Sequence, residues 1–227
     1  MLISDVTDIT GFPASLSDDT SRGLVVGTST FGKGTVQKVD LLSSGQIKYT
    51  ESKFYRVSGS STQNLGVEPD INLPTLFNID ELGESSLDRA LDHDSIPGTT
   101  VKNFNRVSNF KDILRKLSLD RVEESPLFKS IKARKQWQSE NKSEFLDLNL
   151  DKRIEQKNSI EKFLLANENN LRGSLNLPTY ESYKDFMDRE DDPESLDIES
   201  EILGEAANIL IDLVELKKEP LMAMNQK

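Results

Sequence analysis

Lys33 is the residue best placed to do chemistry. It stands in Phe31-Gly32-Lys33-Gly34-Thr35, a few residues after the apolar run Gly23-Leu24-Val25-Val26-Gly27. The flanking glycines let the backbone take positive φ and let another chain come close. A lysine held in such a loop serves as a general base when burial favours its neutral form. It would then activate a serine hydroxyl without any histidine, as serine–lysine hydrolases do. The same spacing also describes a solvated lysine between two turn glycines, and spacing alone leaves both readings open. A phosphate-binding loop is disfavoured, because the upstream glycine that such a loop needs is missing. His93, the single histidine, lies between Asp92 and Asp94. That arrangement suits a surface or capping role better than a metal site. The acids Asp188, Glu190, Asp191, Asp192 and Glu194 lack the glycine punctuation of a calcium loop and read as a solvated connection.

Two kinds of structure must position these side chains. Residues 1–75 read as strands and turns. Gly23 to Gly27 is a buried strand closed by glycine, and Ser43-Ser44-Gly45 is a turn. Gln46 to Val57 alternates apolar and polar residues, as a strand with one irregularity would. Gly66 to Pro74 is extended, and its two prolines confine it to an edge or a connection. After Pro74 the period becomes helical. Ser85 to Leu91 predicts a short turn, and Asn109 to Leu119 has apolar residues at helical spacing. Ser125-Pro126 is a capped helix start. Leu146 to Asn167 carries Leu150, Ile154, Ile160 and Phe163, with Gly173 and Pro178 as breakers. Leu196 to Lys217 carries Ile198, Ile202, Leu203, Ala206, Ile209, Leu210, Leu213 and Leu216 as a core-facing stripe that ends before Pro220. Trp137 reads as a packing residue.

The fold class expected is therefore α+β: a partial α/β core of strands, followed by an all-helical carboxyl-terminal domain. The 227 residues fit one large domain or two small ones. Net charge is −11, which argues against a nucleic-acid partner. Residues 180–215 alone carry 13 acids against 2 bases, so the rest of the chain is close to neutral. With no cysteine and one histidine, thiolate metal sites, cysteine nucleophiles and two-histidine mechanisms are excluded. No apolar run is long enough for a membrane span. Residues 1–30 lack the basic start and apolar stretch of a signal peptide.

The stretch Arg22-Gly23-Leu24-Val25-Val26-Gly27-Thr28-Ser29-Thr30-Phe31-Gly32-Lys33-Gly34-Thr35-Val36-Gln37 closely resembles the carboxyl-terminal processing, or tail-specific, proteases. The resemblance continues through Lys53-Phe54-Tyr55-Arg56-Val57-Ser58-Gly59-Ser60-Ser61-Thr62-Gln63 and Gly66-Val67-Glu68-Pro69-Asp70-Ile71. The Phe-Tyr-Arg-Val and Gly-Val-Glu-Pro-Asp-Ile pieces point to the large bacterial periplasmic branch. Ala90 to Ile96 is similar to the junction into that branch's helical domain. The resemblance implies a division into an unmatched segment, residues 1–17, the end of a protease core, residues 18–78, and a helical domain, residues 79–227. It implies a serine endopeptidase with a serine–lysine dyad, working on proteins with nonpolar carboxyl tails. Lys33 would be its general base. Gln37 would orient the dyad, as an amide can hold an amine without adding charge. Asp19 fits, less securely, an Asp-containing position before the strand and would be a further catalytic residue, although a helix-end or surface carboxylate describes it better. No metal or cofactor is implied. Protein or peptide substrates, an adaptor lipoprotein and a periplasmic location are.

The amino-terminal segment departs from the family. The family's nucleophile stands about 25 residues before the lysine, in a Ser-Ala-Ser-like helix start. Counting back from Lys33 lands near Asp8, Ser4 and Ser15 have neither the spacing nor the context, and Pro13 argues against the expected helix. The expectation is a protease fragment that carries the base without the nucleophile and is inactive alone. The alternative is a non-enzymatic helical interaction module, or an inactive remnant.

Overall fold

The computed structural model describes residues 1–4, 12–77, 79–102, 104–143, 145–188 and 198–224. In chain order the elements are β1 (Leu2–Ser4), α1 (Phe12–Asp19), β2 (Val25–Gly27), β3 (Thr35–Leu42), β4 (Gly45–Lys53), β5 (Ile71–Asn72), α2 (Ile79–Leu82), α3 (Lys111–Glu124), α4 (Pro126–Glu140), α5 (Leu150–Ser174), α6 (Tyr183–Met187) and α7 (Ile198–Met224). The fold is α+β, with strands first and a helical carboxyl-terminal part. It divides into two compact units. One comprises residues 1–73, 77–118 and 205–227, the other residues 74–76 and 119–204.

In the first unit, β2 is the central strand of a small parallel sheet ordered β1-β2-β5. Val25 and Val26 are fully buried, as a strand covered on both faces requires. β5 lies at the sheet edge, where Pro69 and Pro74 cost no ladder bonds. β3 and β4 form an antiparallel ribbon around Ser43-Ser44. Val36 pairs with Ser52 and Gln37 with Thr50, so Glu51 is the extra residue of a bulge. That is the irregularity the alternation of Gln46 to Val57 anticipates. The ribbon projects its apolar side chains outward, and Leu41 is 83% exposed.

Several local expectations are corrected. Pro13 does not forbid a helix: α1 runs through it, because a proline in the first turn removes an N–H with no intrahelical partner. The turn expected over Ser85 to Leu91 is a 3-10 turn at Glu84–Ser86. α5 ends at Ser174, one residue past Gly173 and ahead of Pro178, where these two residues are expected to end it. Its other end is capped by Asn149, whose side chain accepts the Lys152 amide. α7 continues past Pro220 to Met224. Its buried stripe is narrower than expected: Ala206, Ile209 and Leu213 are buried while Leu203 and Leu210 are exposed.

In the second unit, Ser125 caps α4 by accepting the Phe128 amide at 3.4 Å, with Pro126 in the first turn. Trp137 of α4 stacks on Phe163 of α5, ring centroids 4.7 Å apart. Asn167 Nδ2 donates to Ser130 Oγ at 2.6 Å, a second tie between these helices. Leu150, Ile154 and Ile160, read as core from their spacing, lie on the exposed side of α5. The loop after α5 is anchored by Arg172, which donates to the Pro178 carbonyl and lies over the Tyr180 ring.

Candidate active site

The loop bearing Lys33 leaves the carboxyl end of β2, the end of a parallel strand at which α/β folds place their ligands. Buried Ser61, Thr62 and Gln63, with Asn64 and Val67 after them, shape it. Thr30, fully buried, donates its amide to the Val67 carbonyl at 3.2 Å and accepts the Val67 amide on Oγ1 at 2.9 Å. Asn64 N–H donates to Gly32 O at 2.8 Å, and Thr62 Oγ1 to Lys33 O at 3.2 Å. Gly34 N–H donates to Gln63 Oε1 at 2.8 Å. The flanking glycines are therefore required. Gly32 has φ 90°, and a Cβ on Gly34 would stand 2.5 Å from Ser61 Oγ and 2.7 Å from Gln63 N.

Lys33 is half-buried, and its Nζ lies 3.7 Å from Glu84 Oε1. Glu84 is itself buried, and its Oε1 accepts Gln63 Nε2 at 3.1 Å. Gln37 stands exposed on β3 beside the bulge, with no hydrogen bond to Lys33. Asp19 stands at the end of α1. Its Oδ1 accepts Arg56 Nη2 at 2.5 Å, and its Oδ2 accepts the Val57 amide at 3.1 Å. The three residues singled out from the sequence are thus not gathered into one hydrogen-bonded cluster.

A second polar group lies at the amino ends of β2 and β5. Asp70 accepts the Val25 amide at 2.8 Å on Oδ2 and donates its own amide to Val25 O at 2.7 Å. Lys111 bonds the Asp70 carboxylate and stands 3.5 Å from Asp18, which in turn pairs with Arg56 at 2.8 Å. Burial pulls the Lys111 ammonium down, but the hydrogen bond and charge of Asp70, with Asp18 behind, hold it above its ordinary value. Arg115 donates from Nε and Nη2 to the Asp70 carbonyl.

Residues 5–11, with the counted-back Asp8, lie outside the described residues, as do the side chains of Ser4 and Pro13. Ser15 is buried on α1. No described serine hydroxyl is bonded to the Lys33 amine. His93 Nε2 is 3.2 Å from Ser60 Oγ, in a polar seam where Lys53 pairs with Asp94 at 3.2 Å. Of the acidic run, only Asp188 is among the described residues. Among the described residues no three His, Cys, Asp or Glu side chains gather as a metal site. No helix there is long and apolar enough to cross a membrane.

Gln63, Glu84, Asp70 and Lys111 escape a reading by local pattern. The available signal was a run of five polar residues, Ser60 to Asn64, directly before the glycine turn at Gly66. Uncharged polar side chains in such a run are candidates for satisfying a neighbouring loop.

Comparison with known proteins accounts for both parts of the chain. Residues 12–73 match peptidase family S41. Residues 77–215 match the C-terminal domain of tail specific protease. The tail-specific protease of Haemophilus influenzae is 33% identical over 216 residues, covering 88% of this chain and 30% of that protein. The carboxy-terminal-processing protease of Bartonella bacilliformis is 36% identical over 84 residues, covering 30% of this chain and 19% of that protein. The chloroplastic C-terminal processing peptidase of Tetradesmus obliquus is 39% identical over 56 residues, covering 24% of this chain and 12% of that protein. The chain thus spans less than a third of the length of these relatives. With one family match covering more than half of the residues, and the loop of Lys33 inside the other, this chain belongs to the tail-specific protease family.

Proposed function

We propose that this chain contributes the general base of a serine-type endopeptidase, and that Lys33 is that base. The observation that carries the proposal is the placement of Lys33. It sits half-buried at the carboxyl end of a fully buried parallel strand, in a loop whose glycines admit no side chain. In the reaction its neutral amine takes the proton of a serine hydroxyl as the oxygen attacks the peptide carbonyl, then returns a proton to the leaving amine. Gln37, four residues on, orients the dyad when the nucleophile is in place. Residues 1–17 do not carry the Ser-Ala-Ser-like motif, so the nucleophilic serine comes from outside these 227 residues and the chain alone does not cleave. Residues 18–78 form the end of the protease core and residues 79–227 its helical domain; the family matches, over residues 12–73 and 77–215, support the junction between them, and the first begins inside the segment 1–17 read as unmatched. The substrates are proteins with nonpolar carboxyl tails, and the compartment is the periplasm.

The test is a chimera in which this chain replaces the matching region of the Haemophilus influenzae protease. It should cleave a peptide with a nonpolar carboxyl end, and Lys33→Ala should abolish cleavage while cooperative unfolding is retained. Equal cleavage by Lys33→Ala would overturn the proposal.

One observation favours a second, compatible reading, in which the helical part also docks an adaptor. A groove of about 750 Å³ in the second unit is lined by Trp137, Phe145, Leu146, Ile154, Ile160 and Tyr183. Phe145 and Leu146 there are largely exposed. Phe145→Ser with Leu146→Ser should weaken adaptor capture by the chimera and leave peptide cleavage unchanged. Unchanged capture would remove this reading.

A further inference from the structure

The ribbon that follows Lys33 has one regular, open edge. β3 and β4 pair with each other and, among the described residues, with no further strand. A two-stranded ribbon on its own is marginal in water. An open edge is a row of unpaired backbone groups, which folds usually blunt. β4 is blunted by the bulge at Glu51. β3 is not: from Gln37 to Leu42 it has no bulged residue, no proline and no glycine. The two-residue turn fixes which of its groups face outward. Leu42 and Gly45 close the turn as a hydrogen-bonded pair, so Leu42, Asp40 and Lys38 direct their backbone N–H and C=O groups to β4. Those of Leu41, Val39 and Gln37 point away from it and meet no described backbone group. The side chains of these three share one face with their cross-strand partners Gln46, Lys48 and Thr50. Among these six residues Lys48 carries the one charge, and Val39 and Leu41 are 48% and 83% exposed.

We infer that the outer edge of β3, from Gln37 to Leu41, is the strand to which the substrate adds. An extended nonpolar segment pairs its backbone with the outward groups of Gln37, Val39 and Leu41 and lays its side chains beside Val39 and Leu41. The choice of ligand rests on the protease reading above. Three observations select this occupant. The edge begins four residues after Lys33, at most about 13 Å of extended chain, so a segment held on it brings a peptide bond a few residues further along to the amine. The face is apolar with a single cation, which fits a nonpolar tail that ends in a carboxylate. Pairing along an edge also holds the segment extended. A helical segment would have its carbonyl oxygens engaged in its own hydrogen bonds and closed to attack.

The test needs no catalysis and uses the full chain. Amide hydrogen exchange, read residue by residue by NMR on the isotope-labelled chain, separates the two sets of groups. In the chain alone, the amides of Lys38, Asp40 and Leu42 should be protected by the ladder, and those of Gln37, Val39 and Leu41 should exchange freely. The probe is an acetylated heptapeptide of alanine, valine and leucine with a free carboxyl end, at millimolar concentration. It should slow exchange at Gln37, Val39 and Leu41 by about threefold or more and leave the other three unchanged. Val39→Pro removes one outward N–H and keeps the ladder to β4, so Lys38, Asp40 and Leu42 should stay protected while the peptide's effect at Gln37 and Leu41 is lost. Leu41→Glu leaves every backbone group in place and sets a carboxylate on the face. It should weaken the peptide's effect as well, and it serves if the proline disturbs the ribbon. No slowing at the three outward amides, or equal slowing of all six, would overturn the inference. So would slowing that follows the concentration of the chain without peptide, which would put a second copy on the edge. Lys33→Ala should leave the protection unchanged, so the edge and the base can fail separately.

Discussion

Asp19 and Arg56 are joined by two hydrogen bonds, Nη2 to Oδ1 at 2.5 Å and Nε to Oδ2 at 3.4 Å. The pair sews the end of α1 to the segment after β4, and Asp18 adds a further bond at 2.8 Å. Burial pulls the Arg56 guanidinium down, yet Asp19 and Asp18 hold it above its ordinary value. This explains Asp19 structurally before any chemistry is asked of it. Asp19→Ala strands a mostly buried cation with one partner left. It should destabilise the chain by about 2 kcal/mol in urea unfolding. An unmoved midpoint would contradict this structural role.

Lys111 gives stability a dependence on pH. Its value in the folded chain is raised above the ordinary 10.5, so its contribution is fully present below that pH and is lost as pH rises through the folded value. The stability difference between the wild-type chain and Lys111→Met should therefore be constant from neutral pH to about pH 10 and shrink above it. A difference that grows at alkaline pH would contradict the Lys111–Asp70 assignment.

Two glycines should respond in opposite directions to the same change. Gly34→Ala drives a methyl group against Ser61 and Gln63 and should cost about 2 kcal/mol or more, displacing the loop of Lys33. Gly173, inside α5, has nothing near its Cβ position, and Gly173→Ala should stabilise by up to about 1 kcal/mol. Thermal unfolding of the two variants side by side checks both signs.

Ser125 makes two contacts with one hydroxyl. It caps α4 through Phe128 N and donates to Glu201 at 2.6 Å. Ser125→Ala should cost about 1–2 kcal/mol in urea unfolding, and a loss below a few tenths would mean that the cap is idle.

The legible parts of this molecule were the local ones. The valines closed by Gly27, the turn at Ser43-Ser44 and the capped start at Ser125-Pro126 each carry their cause within a few residues, and each appears where the pattern puts it. The glycines around Lys33 were legible as a loop, but the reason for them was not. The atoms they avoid belong to Ser61 and Gln63, about 30 positions away, and Glu84 is farther still. Nothing in a window of neighbours announces that a buried amide will face a buried carboxylate there. The helical stripes misled for a related reason. Spacing shows which residues share a face, and Leu203, Leu210, Leu150 and Ile154 do, but only the packing decides how wide a face is covered.

Chemical rescue of the base tests the central claim most directly. Lys33→Ala in the chimera should cleave its peptide at least about a thousandfold more slowly than the unmutated chimera. Added ethylamine should restore cleavage in proportion to the concentration of its neutral form. Cleavage by Lys33→Ala at the unmutated rate, with no dependence on amine, would contradict the assignment of Lys33 as the base.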